Sequence, residues 1–230
     1  MSTFPAAGRF TAQPAKKTPI FWAKALGFVF IVAIAAAFVG KYVFHYYLNY
    51  NQATYTDPVA GEANYWAMRG WLLMHITGGM VAVLTGPWQF WTGFRSRFYR
   101  IHRWMGRVFL GSVAVGSAGA FSLAVSTTNG WAFGFALFVM ASAWVTCAGM
   151  AYYAILKRRV AIHKDWMLRA YVVTFGFVTF RILSDYGPTS HLQPDNDKGI
   201  SIAWTCWVVP LMIVEVIQQL RHMRSPAPSA

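Results

Sequence analysis

The sequence predicts an all-α membrane protein, a bundle of six transmembrane helices with both termini on the cytoplasmic side, and three observations predict it. The 230 residues are 57% hydrophobic and only 12% charged, far more apolar than an ordinary soluble domain. The apolar residues gather into runs of roughly 20 or more, the length that crosses a hydrocarbon core at about 1.5 Å per residue. Basic residues fill alternate gaps between those runs, the charge bias of cytoplasmic loops.

Taken in order, 1–19 is polar and interrupted by proline, which predicts a disordered cytoplasmic arm. The first span is placed at 20–45. It contains "AIAAA", small residues of the kind a signal peptidase accepts, but the apolar run continues through "FVGKYVFHYYL", so the helix is read as uncleaved. The second span is 66–91. The third and fourth, 104–126 and 131–155, are separated by "STTNG", whose Asn129-Gly130 suits a tight turn between antiparallel helices. The fifth and sixth are 167–187 and 200–221. A single transmembrane domain therefore covers 20–222, and 223–230 reads as a disordered cytoplasmic tail.

Most of the 20 basic residues fall on one side of these spans. They are Arg9, Lys16, Lys17 and Lys24 before the first; Arg95, Arg97, Arg100, Arg103 and Arg107 after the second; Lys157, Arg158, Arg159, Lys164 and Arg169 after the fourth; and Arg221 and Arg224 at the end. The opposite side carries Asp57, Glu62, Asp185, Asp195 and Asp197. Lys and Arg resist translocation, so the expected placement is a multi-pass protein of a bacterial inner membrane. A net charge of +13 confined to short loops points to anionic lipid headgroups as partners. No recognition fold accompanies it, which argues against nucleic acid; a membrane-protein partner stays open.

The stretch "IHRWMGR" at 101–107 is written again as "IHKDWMLR" at 162–169. Each copy carries a histidine, a Trp-Met pair and an arginine at the expected cytoplasmic boundary, His102 beginning the third span and His163 just before the fifth. One reading is anchoring, because tryptophan and arginine suit the headgroup layer. Another is a helix-pair repeat of spans two-three and four-five. The third is chemical: if the third and fifth spans are neighbours, two histidines at equal depth can supply both axial ligands of a haem iron. Arg103, Arg107 and Arg169, with Arg100, Arg158, Arg159 and Lys164 nearby, can then hold the propionates.

His75 lies inside the second span, about 24 Å above Trp91 by helix rise, too far to share a metal with that pair. It heads a stripe of His75, Gly79, Ala82, Gly86 and Gln89 at helical spacing. Small residues in a row admit a neighbouring helix, or a flat ligand such as a porphyrin or quinone ring, close to the backbone. Intramembrane charge costs about 2.5–3.5 kcal/mol at a helix centre, so Arg69, Arg181, Asp185 and Glu215 are informative. Arg181 is expected to pair with Asp185 one turn on, and Glu215 with Arg107 or Arg169. These groups form structural ion pairs or line a proton or quinone path. Cys147 and Cys206 are placed about 15 Å apart in height by helix rise and are expected to be buried and unbridged.

The stretches "MHITGGMVAVLTGPWQFW", "RFYRIHRWMGRVF" and "HKDWMLRAYVVTFGFVTFRI" together resemble a family of bacterial predicted membrane proteins of unknown function, DUF2306-like, over about 70–220. The family pattern is met at His75, Gly79, Gly86, Pro87, Gln89, His102, Arg103, Gly106, Arg107, His163, Met167, Arg169, Arg181 and Glu215. "HRWMG" is also similar, more weakly, to a stretch of transmembrane b-type cytochromes of the ascorbate- and ferric-reductase kind. That likeness implies two histidines per haem, and this chain offers no fourth well-placed histidine for a second one. The sharpest functional expectation is a membrane redox protein binding b-type haem or quinone. The alternatives are a small-solute or proton-coupled transporter using His75, Arg181 and Asp185, and a non-catalytic scaffold or assembly factor. The absence of a broken midplane helix pair in the sequence counts against the transporter.

Overall fold

A computed structural model describes residues 19–52, 55, 65–187 and 196–224. The arm at 1–18, the tail from 225, and the outer-side acids Asp57, Glu62 and Asp195 lie outside them. Among the described residues every regular element is helical. They are α1 (Pro19–Phe38), a π-helical segment (Val39–Val43), α2 (Phe44–Leu48), α3 (Arg69–Phe90), α4 (Thr92–Arg97), α5 (Tyr99–Val125), α6 (Trp131–Leu156), α7 (Val160–Thr174), α8 (Gly176–Tyr186) and α9 (Asn196–Arg224).

Five stretches are long and apolar enough to cross a membrane: Phe21–Leu48, Tyr99–Val125, Trp131–Leu156, Val160–Tyr186 and Asp197–Arg224. The expected second span, α3, is not among them. Its 22 residues would reach about 33 Å at helix rise, so length is sufficient; His75, Thr77, Gly78, Gly79, Thr85, Gly86, Pro87 and Gln89 dilute its apolar character. The structure gives those residues protein neighbours. α3 packs on α1, α5 and α7, and most extensively on α5.

Several boundaries differ from the sequence expectation. Pro19 and Arg224 are helical, so α1 begins inside the predicted arm and α9 runs into the predicted tail. α7 starts at Val160, earlier than the predicted 167, because the amphipathic turn before the apolar run is helical too. His163 therefore lies within its helix, as His102 lies within α5, and neither stands outside a helix start. The first span continues to Leu48 through the π-segment, and the fifth is interrupted at Phe175 between α7 and α8. Both irregularities were invisible in the apolar pattern. Phe175 keeps helical dihedrals (φ −76°, ψ −7°), so the fifth span is interrupted but not unwound.

The α5–α6 turn is as short as the sequence implied, and the α6–α7 turn is shorter. Gly130 takes φ 88° immediately before α6, a value that Asn-Gly turn chemistry anticipates. After α6, Arg158 adopts φ 58°, while the Arg158 N–H donates to the Ile155 carbonyl and the Arg159 N–H to the Ala154 carbonyl. This is a Schellman closure with arginine where glycine is usual, and it keeps three cations in one tight loop at the α6–α7 corner.

α3 and α5 approach to backbone contact because glycines face each other. A Cβ on Gly78 would lie 2.5 Å from the Gly116 backbone and from the Ser112 carbonyl oxygen, and one on Gly119 would collide with the Trp71 carbonyl oxygen and the His75 backbone N. Lower on α3, the Tyr171 ring of α7 covers Gly86 and its hydroxyl donates to the Val83 carbonyl at 3.1 Å. The main core joins Phe109 and Val113 of α5, Met140, Trp144 and Cys147 of α6, Met167 and Tyr171 of α7, and Cys206 and Trp207 of α9. Cys147 and Cys206 are buried and free, as expected. α1 attaches through Ala35, Val39 and Val43 against Val83 and Val178. Its other face, with Leu26, Val29 and Phe30, is exposed, as are Phe135 of α6 and Met212 and Ile213 of α9. An outward surface this apolar is one that lipid tails cover.

Candidate functional site

The residues singled out by the sequence separate into two places, one at each end of the bundle. His102 lies in the first turn of α5, by the α4–α5 corner, and His163 in the first turn of α7, by the α6–α7 corner. The two rings are held differently. His163 Nδ1 is 2.8 Å from the Ala151 carbonyl oxygen; a carbonyl only accepts, so Nδ1 carries the proton and Nε2 is left as the ring's available lone pair. His102 Nδ1 is buried and has no hydrogen-bond partner among the described residues. α5 packs chiefly on α3 and α6, and α7 chiefly on α6, so the extensive α5–α7 contact that the sequence reading assumed does not form.

Gln89 of α3 is buried beside this pair's helix: a Cβ on Gly106 would lie 3.6 Å from Gln89 Oε1, and Gln89 Nε2 has no partner. The glycine of "HRWMG" thus makes room for a buried amide. Arg103 and Arg107 are exposed, Arg103 lying 5.8 Å from the Tyr99 ring. Trp104 is 65% exposed, whereas Trp166 is half-buried under the Arg169 guanidinium, 4.9 Å from its ring. The two copies of the motif are therefore not equivalent around their tryptophans. Of the two arginines expected for Glu215, the structure selects Arg169. Its Nε donates to Glu215 Oε2 at 2.9 Å with Nη2 on the same oxygen, and Gln219 Nε2 donates to Oε1 at 2.8 Å. The Asp165 carboxylate meets His222 at 3.3 Å, and Gln218 Nε2 donates to the Asp165 backbone carbonyl, so α7 and α9 are joined at three points.

The other place is a cavity of about 840 Å³ in the half of the bundle nearer the α5–α6 turn. Its walls include Tyr42 and Tyr46, His75, Gly79 and Val83 of α3, Asn129, Trp144 of α6, and Thr174, Phe177 and Arg181 of α7 and α8. His75 Nδ1 is 3.1 Å from the Gly116 carbonyl oxygen, so it too is the donor nitrogen, and the ring stands edge-on to Phe177 at 5.2 Å. Trp144 Nε1 donates to Thr174 Oγ1 at 2.8 Å, which donates on to the Ala170 carbonyl.

The predicted stripe on α3 divides here. Nothing lies within 4 Å of a Cβ on Gly79, which with His75 opens on the cavity; Ala82, Gly86 and Gln89 are buried lower down. The expected Arg181–Asp185 pair does not form. Asp185 Oδ2 is 3.5 Å from Lys41 Nζ and is hydrogen-bonded by the Tyr42 hydroxyl, because the π-segment carries both residues toward α8. Arg181 lies 5.5 Å from the Tyr42 ring. Arg69 is also elsewhere, donating to the Tyr50 hydroxyl at 3.1 Å and the Trp66 carbonyl at 2.8 Å and stacking on the Trp66 ring. In that aromatic cap Tyr55 is fully buried, and burial pushes its phenol above the ordinary value. The cavity lining thus brings His75 and Arg181 together and leaves Arg69 and Asp185 out. Sequence reasoning missed Lys41, Tyr42 and Trp144. Lys41, well inside the apolar run Phe21–Leu48, was the one available signal.

No curated protein and no solved structure matches the chain, so the weaker likeness to transmembrane b-type cytochromes gains no support. The model of a family described as predicted membrane protein (DUF2306) matches residues 72–218, a region that begins in α3, ends in α9 and holds both histidine sites; the chain belongs to that family.

Proposed function

We propose that the protein is an integral membrane redox protein of the bacterial inner membrane, holding one low-spin haem between His102 and His163. The observation that carries this reading is the pair of motif histidines itself, one with a buried Nδ1 that no described residue meets and the other anchored through Nδ1 with Nε2 left over. Two details support it. The Ala151 carbonyl fixes the His163 tautomer, the arrangement by which ligating histidines are usually oriented. A buried ring nitrogen without a partner, as at His102, is costly unless something meets it. Among the described residues no group of three or more His, Cys, Asp or Glu could hold a metal ion; a porphyrin brings its own equatorial donors and asks the protein for only two axial ones.

In this reading His102 and His163 hold the iron, and Arg95, with Arg103 and Arg107, offers cationic partners for propionates. Haem, when bound there, would supply one-electron chemistry. Ala151 keeps the His163 Nε2 lone pair available, and Met167, buried one turn from His163, keeps water from that side of the helix. Replacing either histidine with alanine should abolish the haem signal of purified protein, and His75→Ala should leave it. If the histidines only anchor the helix ends, Trp104 changes will matter as much and no variant will alter a spectrum. Of the three residues of the permease alternative, His75 and Arg181 line the cavity, and Asp185 is engaged by Lys41 outside its lining.

The topology that accompanies this reading is six crossings with both termini cytoplasmic, α3 being the sixth span. It rests on the distribution of basic residues and on the antiparallel packing of α3 along α5. Reporter fusions after Trp91 and after Leu156 should report cytoplasm, and fusions near Asp57 and Asp195 the exterior. A cytoplasmic signal at Asp57 together with an exterior one at Trp91 would contradict it.

A further inference from the structure

Two polar groups of opposite kinds line the cavity beside α3, and neither His75 Nε2 nor the Arg181 guanidinium has a hydrogen-bond partner among the described residues. The cavity lining is otherwise mainly aromatic and aliphatic. His75 donates from Nδ1 to the Gly116 carbonyl, so in the neutral ring Nε2 is a hydrogen-bond acceptor, and no described residue donates to it. Arg181 presents a planar set of N–H donors that meets no carboxylate and no carbonyl among the described residues, only the face of Tyr42. A guanidinium in such a place is expensive unless a partner arrives. The acid that sequence spacing offered it, Asp185, is held by Lys41 and Tyr42.

The two groups are also at defined heights. His75 stands against Phe177, and Arg181 follows Phe177 by four residues on the same helix face, about 6 Å along the axis. Gly79, one turn below His75 and with no atom near its missing Cβ, gives the cavity a flat wall of backbone.

We propose that this cavity binds the ring of a membrane-soluble hydroquinone or quinone. One ring oxygen meets His75 Nε2 as a hydroxyl donor, the opposite oxygen accepts from Arg181, and the ring lies over Gly79 among Phe177 and Trp144. A six-membered ring with oxygens at both ends can present a hydroxyl donor to the His75 acceptor and a second oxygen to the Arg181 donors. A fatty-acid carboxylate or a phosphate would satisfy Arg181 but would set its lone pairs against the His75 acceptor. The proposal gives the redox reading a ligand on the far side of the bundle, yet binding itself does not depend on haem at His102 and His163.

The test is isothermal titration of the purified full chain in detergent with 2,3,5-trimethylhydroquinone, and with octanoate as the carboxylate comparison. Saturable hydroquinone binding at one site per chain is expected. Gly79→Leu, which fills the wall without meeting another helix, should abolish it, and Gly79→Ala should weaken it with the fold intact. His75→Phe and Arg181→Gln should each weaken it at least tenfold, while Asp185→Asn should leave it unchanged. The His102→Ala variant should still bind, which separates this result from the fate of the haem reading. Absence of saturable binding, or binding indifferent to both Gly79 variants, overturns the proposal. Preferential binding of octanoate, dependent on Arg181 but not on His75, overturns it in favour of an anionic amphiphile.

Discussion

Gly78→Ala should destabilise the protein by about 2–3 kcal/mol, the upper part of the range for overpacking, and Gly78→Val should prevent recovery of folded protein. The neighbour behaves oppositely: Gly79→Ala should be neutral or slightly stabilising, since alanine is worth up to about 1 kcal/mol over glycine inside a helix. The difference comes from what each hydrogen faces. A Cβ on Gly78 lies 2.5 Å from backbone atoms of Gly116 and Ser112, which cannot rotate away, whereas one on Gly79 meets nothing within 4 Å. Yield of monodisperse protein on size exclusion and the thermal midpoint in detergent check both. Equal tolerance at the two positions would mean that α3 and α5 are not in backbone contact.

Glu215→Gln should cost about 3 kcal/mol, within the range for leaving one member of a buried ion pair alone. Arg169 is largely sequestered, with 15% of its side chain exposed, while Glu215 is 43% exposed, and in the proposed topology that exposure is to lipid. The reverse change, Arg169→Gln, should cost less. A carboxyl without a partner can take up a proton and become neutral, but a guanidinium stays charged. The double variant should recover part of the loss, and the cycle should give a coupling of about 1–3 kcal/mol in unfolding measurements. Additive effects would mean that the hydrogen bonds from Arg169 to Glu215 contribute nothing to the junction of α7 and α9.

Much of this architecture is written in the apolar runs, because a helix in lipid must be apolar along its whole outer surface. The Asn129-Gly130 turn and the α6 boundaries could be read from sequence for the same reason: the run ends where turn chemistry begins. The place of His102 and His163 near the starts of their helices was also legible, since the repeated motif follows a basic loop each time. Lateral position was not. Nothing in the sequence states that α3 and α6 lie between α5 and α7, or that α1 comes beside α8. The Arg181–Asp185 expectation failed on that point: spacing within one helix favoured it, but the π-segment brought Lys41 and Tyr42 from another helix to the carboxylate first. Gly78 and Gly79 are adjacent letters with opposite roles, and only the direction of packing separates them. The cavity is a property of the space between helices, to which no single run of residues testifies.

The central claim is that His102 and His163 hold one haem. Haem content per chain, measured on wild-type protein purified from haem-replete cells by its alkaline pyridine spectrum, tests it most directly. The account predicts one haem per chain, with the split visible bands of a reduced low-spin b-type haem in the native protein. A colourless, folded, monodisperse preparation would contradict it.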